Sequence, residues 1–485
     1  MEIPGECEYR SSPEMVRPSK PTPRRTLYLS NLDDQRFLRF SIKYLYVFPA
    51  AAAVVADDLK AALARALVDY YPLAGRLRPS DEDDGKLLVD CNAEGALFAE
   101  AFMPGLTAGD FLNGNAKPHK SWRKLLYRVD AASFVAVPPL VVQVTQLGCG
   151  GMVLCTAICH CLCDGIASAN FLHAWARDAA NPIADEVLVL HDRRALRPRC
   201  PTRVAFTHPE YAADAAGGGA PLLLAQLIGQ PLSPVSLTFT AAHLRHLKTK
   251  LRQCTSFEAL AAHVWRAWVL SLSPPPSTKV KLLFSVNVRR RLKPELPETY
   301  SGNAFVLACA ESTAADLVNG CGLRRVQEAK DRVNDDYVRS MVDLLEERRG
   351  AKPDLAATLV ISAWTRLGLE DLDFGNGKPA HMGPLTSEIY CVFLPVVGQP
   401  DAVTVLVSVP QAAADAFHHH CCSFPILRDD ADESPAAAAA DGDDPIIPMI
   451  SSIVSNNKQM DSNKTKQHQQ LQGSDHLLAR HDILA

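Results

Sequence analysis

Residues 140–180 constrain the fold of this chain more than any other stretch. Two eight-residue apolar runs, Leu140–Leu147 (LVVQVTQL) and Met152–Cys159 (MVLCTAIC), flank Gly148-Cys149-Gly150-Gly151. Apolar runs of that length around a glycine turn predict a β-hairpin. His160-Cys161-Leu162-Cys163-Asp164-Gly165 follows at once. From there to about Ala180 the spacing of Ile166, Phe171, Leu172 and Trp175 predicts a helix. A loop between strand end and helix start can present its side chains to a cleft.

The rest of the chain repeats this mixture. Residues 1–24 carry Pro13, Pro18, Pro21 and Pro23 and read as an irregular leader. Structure is expected from Leu27–Leu32, with β-rich Phe40–Phe48, a helix over Asp58–Asp69 showing Leu59, Leu63 and Leu67 on one face, and a strand at Lys86–Asp90. Asp192–Gly219, with Pro198, Pro201, Pro209 and three consecutive glycines, reads as irregular and as the join between two halves. Beyond it, helices are expected at Thr240–Gln253 and Ser256–Leu272. Strands are expected at Val280–Val288 and Val403–Val409, and β-rich segments at Leu359–Leu367 and Glu388–Pro395. Leu317–Arg349 reads as a long charged amphipathic region. From Asp429 the alanine, aspartate, asparagine and glutamine runs predict a disordered tail. The division is 1–24 leader, 25–195 first domain, 196–222 crossover, 223–425 second domain and 426–485 tail, in the α/β or α+β class.

Composition narrows the function. With 485 residues, 47% apolar and 21% charged, the chain has a globular composition that closes a substantial core. A net charge of −4 offers no basic excess for gripping nucleic acid. No apolar run approaches the ~18 residues of a membrane span, and residues 1–18 lack the apolar segment of a secretory signal. The 14 cysteines do not follow disulfide-scaffold spacing, and many lie inside apolar runs, so reduced buried thiols and a cytoplasmic location are expected.

His160 and Asp164 form the sharpest candidate. A histidine titrates in the range a base for acyl transfer needs, and an aspartate can fix the loop that carries it. His160 is the only one of the 15 histidines followed four residues later by Asp. About one such pair is expected by chance, so the pattern alone is weak and a loop histidine beside a capping aspartate is the plainer alternative. Metal ligation by Cys159, His160, Cys161 and Cys163 lacks the distant second pair of a zinc site. The adjacent residues of His418-His419-His420-Cys421-Cys422 cannot converge on one ion from a helix. No metal is therefore expected. A nucleophilic-serine elbow, a phosphate loop and a dinucleotide fingerprint are absent. Asp373-Phe374-Gly375 matches the kinase triplet, but no catalytic loop precedes it. Arg289, Arg290 and Arg291 follow a strand. They read either as a solvated basic turn or as the source of one guanidinium that pairs with Asp164 across the halves.

Taken together, HCLCDG at 160–165 and DFGNG at 373–377, in that order, resemble the HxxxDG and DFGWG signatures of the plant BAHD acyl-CoA-dependent acyltransferases. Asp69–Leu77 (DYYPLAGRL), Gln143–Gly151 (QVTQLGCGG), Ser256–Trp268 (SFEALAAHVWRAW), Asn287–Asn303 (NVRRRLKPELPETYSGN) and Ile361–Leu367 (ISAWTRL) extend the resemblance over about residues 16–422. It implies two pseudo-symmetric, chloramphenicol-acetyltransferase-like α/β domains with a channel at their interface. It implies His160 as catalytic base, and Asp164 held by an arginine that is either Arg289 or Arg291. Asp373 and Gly375 then form a structural motif remote from the histidine, and Trp364 and Ser362 contact the acceptor or the tetrahedral intermediate. One departure is Asn376 at the usual tryptophan of DFGWG, and the tail after about Cys422 has no family counterpart.

The run Leu27–Gln35 and the other segments resemble hydroxycinnamoyl-CoA transferases that act on ω-hydroxy fatty acids or fatty alcohols, feeding cutin, suberin and wax. Lys352–Ala356 offers no arginine to read an acidic acceptor such as shikimate. The expectation is transfer of a feruloyl or caffeoyl group from CoA to an aliphatic hydroxyl by a monomer. Acyl-CoA is a substrate and no cofactor takes part. Transfer to shikimate or quinate, a polyamine or another alcohol keeps the chemistry, and a non-catalytic binding protein on the same fold is the alternative from another class.

Overall fold

The computed structural model describes residues 1–423 apart from 4, 50–54, 84, 113–116, 132, 182–187, 212–229, 250–252, 376 and 387–389. The expected tail and residues 212–222 of the crossover lie outside the described residues. Among those described, sixteen strands make three sheets. The first runs β1 (Glu8–Tyr9), β7 (Ala96–Met103), β8 (Leu140–Leu147), β9 (Met152–Cys159), β4 (Ser41–Phe48), β14 (His381–Pro384), with β2 (Glu14–Val16) also on β7. The second runs β10 (Leu232–Phe239), β16 (Gln399–Pro410), β15 (Cys391–Val396), β13 (Thr358–Ala363), β11 (Lys279–Asn287), β12 (Phe305–Thr313). A small third sheet runs β3 (Thr26–Tyr28), β6 (Leu87–Asp90), β5 (Arg76–Pro79). Both large sheets mix parallel and antiparallel pairs, as in β7–β8 against β8–β9 and β11–β13 against β11–β12.

The hairpin forms as its pattern requires, with Leu140 opposite Ile158 and Gln146 opposite Met152. Every residue of β9 is buried because both faces of this central strand are covered. The alternation of β4 sorts its side chains. Tyr44, Tyr46 and Phe48 face the helices α1 (Ala56–Asp69) and α3 (Gly165–Ala180), whereas Leu45 and Val47 face a second apolar layer with Trp122, Phe111 of the short α2 (Ala108–Leu112) and Ile3. In the second sheet one face packs on α5 (Ser256–Leu272), α7 (Gly322–Arg332) and α8 (Asp335–Glu347), with α4 (Ala241–Thr249), α6 (Ala314–Val318) and α9 (Ala414–Cys422) around them. Thr255 and Glu258 close a reciprocal capping box that starts α5. Among the described residues no helix is long and apolar enough to cross a membrane.

Several expectations are corrected. The leader is not wholly irregular: β1 and β2 pair with β7, short enough to fit on either side of Pro13 and at the margin of the sheet. The long charged region breaks into α6, α7 and α8. Gly320, at φ +112°, follows the end of α6, and the Asn334 side chain accepts from Tyr337 N to start α8. The β-rich segment 359–367 ends as a strand at Ala363, and Leu367 N turns back to Trp364 O. The helix expected at Thr240–Gln253 ends at Thr249, with 250–252 outside the described residues. The described part of the crossover is tied down. Asp343 of α8 accepts from Arg199 N and Nε and from Arg203 N, and Tyr337 OH donates to Glu210. The second domain also reaches back, since β14 pairs with β4 of the first sheet and Leu369, Leu372 and Phe374 join the first core.

Candidate active site

The loop after β9 is fixed at almost every residue. His160 N donates to Phe40 O and Leu162 N to Cys159 O, and the Asp164 side chain caps α3 by accepting from Ala167 N at 2.9 Å. Cys159, Cys161 and Cys163 are all buried, and Cys161 Sγ donates to Leu38 O. A hydrogen bond from Cys159, with burial behind it, pushes the Cys161 thiol well up, and burial does the same to Cys163. The Cys161 and Cys163 thiols stay protonated and act as small apolar packing units.

The choice among the three arginines resolves by distance. Arg289, fully buried, reaches Asp164 with two nitrogens, at 2.7 Å to Oδ2 and 3.0 Å to Oδ1. Ala304 N adds a donor to Oδ2 at 3.0 Å. With Ala167 N, the carboxylate receives four hydrogen bonds, which is what a buried charge requires. Arg291 instead donates to the carbonyls of Lys330 and Val333 at the end of α7, and Arg290 makes an exposed pair with Glu298.

A second buried guanidinium went unnoticed in the sequence. Arg193 donates to the carbonyls of His191, Leu162 and Ser301, and its Nε lies 3.6 Å from Asp33. The Tyr300 ring lies within reach of both guanidinium carbons, at 5.9 Å from Arg193 and 5.7 Å from Arg289. Asn303 was missed as well. Its Nδ2 donates to His160 O at 2.7 Å and to Asp33 Oδ1 at 3.0 Å. Asp33 lies in the quoted run Leu27–Gln35, and Tyr300 and Asn303 lie in Asn287–Asn303, so resemblance marked the segments but no spacing marked the residues. Arg193 sits in the proline-bearing join, where no periodicity singles it out.

The His160 ring sits between the halves, 5.3 Å from the Phe40 ring and 5.8 Å from Phe305. Burial pulls its pKa below the usual histidine range. Its own carbonyl, the Asp164 charge, the Asn303 side chain and the Asp33 charge partly offset that pull. A neutral imidazole at neutral pH can accept a proton.

Phe305 also belongs to a small apolar cluster on the helix-free face of the second sheet. Leu283, Leu307, Cys309 and Val360 are its buried members, with Phe37, Leu355 and Tyr390 against them. Ser362, two residues along β13 from Val360, shares that face. The Trp364 ring lies 5.0 Å from Tyr44 of the first half. Asp373 and Gly375 are elsewhere, beside the far end of α3. Asp373 Oδ1 accepts from Gly375 N and Gly377 N, Phe374 meets the Trp175 ring at 5.1 Å, and Gly375 has φ +102°. Asn376 lies outside the described residues.

The sequence model of the Transferase family matches residues 8–423. The fatty alcohol:caffeoyl-CoA acyltransferase of Arabidopsis thaliana is 34% identical over 84% of this chain and 96% of its own. The omega-hydroxypalmitate O-feruloyl transferase of Arabidopsis thaliana is 34% identical over 84% and 91%. The benzyl alcohol O-benzoyltransferase of Petunia hybrida is 34% identical over 77% and 82%. Among solved structures, vinorine synthase superposes with TM-score 0.65 at 21% identity, covering 85% of this chain and 96% of its own. F. graminearum TRI101, complexed with ethyl coenzyme A, superposes with TM-score 0.67 at 16% identity, covering 81% and 96%.

Proposed function

Because the chain belongs to the BAHD transferase family and is an acyltransferase, we propose that it moves a feruloyl or caffeoyl group from CoA to an aliphatic hydroxyl, that of an ω-hydroxy fatty acid or fatty alcohol. His160 Nε2 takes the proton of the acceptor hydroxyl as its oxygen bonds to the thioester carbonyl carbon. The carbonyl electron pair moves onto oxygen, and the Ser362 hydroxyl donates to that oxyanion. The carbonyl re-forms, the C–S bond breaks, and the proton on Nε2 passes to the CoA thiolate. No acyl-enzyme forms. Acyl-CoA is a substrate, no cofactor takes part, and a single chain in the cytoplasm suffices. Trp364, packed on Tyr44, borders the acceptor side.

The observation that carries the aliphatic reading is the Phe305 cluster. Phe305 touches the His160 ring, and the same cluster contains Leu355 from the segment where an arginine would read an acidic acceptor. The alkyl chain of such an acceptor gains about 0.8 kcal/mol per methylene buried on such a surface. The test is thiol release by purified protein, with feruloyl-, caffeoyl-, benzoyl- and acetyl-CoA each offered to a long-chain ω-hydroxy acid, a fatty alcohol, benzyl alcohol, shikimate and spermidine. Release with a hydroxycinnamoyl-CoA and an aliphatic hydroxyl, abolished by His160→Ala, supports the reading. Turnover only with benzyl alcohol, shikimate or spermidine overturns the acceptor.

A further inference from the structure

Asn303 is fully buried, and its amide bridges Asp33 to His160. Its Nδ2 holds the His160 carbonyl oxygen, and both Nδ2 and its backbone N donate to Asp33 Oδ1. Asp33 Oδ2 is occupied by Ser30 N and Oγ, so the carboxylate is locked facing the amide. Among the described residues, His160 Nδ1 and Asn303 Oδ1 are both buried without a hydrogen-bond partner. Yet the Asn303 side chain and the residue's own carbonyl both act on the ring in the sense that favours its protonated form. The amide of Asn303 therefore anchors one acceptor beside the ring, the His160 carbonyl, and carries a second, its own unpartnered Oδ1.

We propose that Asn303 is the positioning residue of His160: it keeps the hydrogen of the neutral ring on Nδ1, leaving the lone pair on Nε2 for the acceptor hydroxyl, and Asp33 orients it. This rests on His160 acting as the base. An imidazole with no partner divides between two tautomers, and only one of them is productive. As Nε2 gains a proton, Nδ1–H becomes a stronger donor, so the contact with Asn303 strengthens in the transition state. Neither phenyl ring beside His160 supplies a polar partner. Asp164 is committed to Arg289, Ala167 and Ala304. The charged groups around the ring are Asp164 and Asp33, paired with Arg289 and Arg193, and the Cys161 and Cys163 thiols are protonated.

Two variants test this in the full chain, beside wild type and His160→Ala: Asn303→Leu, and the exchange Asn303→Asp with Asp33→Asn, which keeps an amide–carboxylate pair between the halves. The readouts are kcat, KM and the pH profile of kcat/KM by thiol release. Asn303→Leu is expected to lower kcat at least about 10-fold at little change in KM. Its acid limb moves to lower pH, because the ring stays buried and loses a group that favours protonation. In the exchange a carboxylate faces the ring, so the acid limb moves to higher pH. A purely structural loss would admit water and move both limbs in one direction, toward the ordinary histidine value. Limbs that move together or not at all, or an Asn303→Leu enzyme within threefold of wild-type kcat, overturn the proposal. If Asn303→Leu does not fold, Asn303→Met takes its place, and an acid limb that fails to move to lower pH in that variant overturns the proposal. An active His160→Ala enzyme overturns the base itself. An inactive one beside an unaffected Asn303→Leu enzyme overturns only the role of Asn303.

Discussion

The two ends of α3 are held by opposite means. At its start, Asp164 is both helix cap and one half of a two-pronged ion pair with Arg289, sealed from water and joined to backbone from the second half. At its finish, an exposed Asp373 closes a backbone turn on Gly375 and Gly377, and Phe374 plugs the core beside Trp175. Both signature motifs therefore serve one helix. The first uses charge in a dry place, where a missing partner is expensive. The second uses a local turn and an apolar plug, where each part can fail separately. Only the first end carries His160.

The contrast can be broken most severely at the buried pair. Arg289→Met leaves Asp164 charged, buried and without its main partner, and is expected to cost about 3–5 kcal/mol in urea unfolding, with loss of thiol release. A cost below about 1 kcal/mol would show that water reaches the carboxylate and that the two ends differ less than drawn. Phe374→Ala opens a cavity at the other end. It should cost about 3 kcal/mol but leave kcat per folded molecule within about twofold. A kcat loss as large as that of Arg289→Met would mean that the far end also sets the geometry of His160. The smallest effect belongs to Gly375→Ala. A side chain at φ +102°, 3.4 Å from Ala180 Cα, is expected to cost about 1–2 kcal/mol by thermal melting, with unchanged kinetics. A neutral result there would mean that the turn relaxes freely.

The elements around His160 were legible because their patterns are local. The hairpin, its glycine turn and α3 all form at the boundaries expected from apolar spacing and capping. The resemblance marked His160 and Asp164 but left Arg289 and Arg291 equivalent, since two residues of separation in a loop says nothing about direction. Distance across the halves decides between them. Arg193, Asp33 and Asn303 were hidden for a related reason. Each acts through one or two contacts with residues more than a hundred positions away, such as Asn303 with His160 and Asp33. Short edge strands such as β1 and β2 leave almost no periodic trace, because two or three residues cannot show an alternation.

The strand β14 has a consequence for how the molecule can come apart. It is drawn from the second half but completes the edge of the first sheet beside β4, and Phe374, just before it in the chain, enters the first core. A chain severed between the halves would not yield two independent folding units. The first piece would expose the backbone edge of β4, a template for unwanted pairing, and the second would carry an orphaned strand and an aromatic plug. Unfolding is therefore expected as one cooperative transition, with a nicked protein surviving as a non-covalent complex rather than as separable domains.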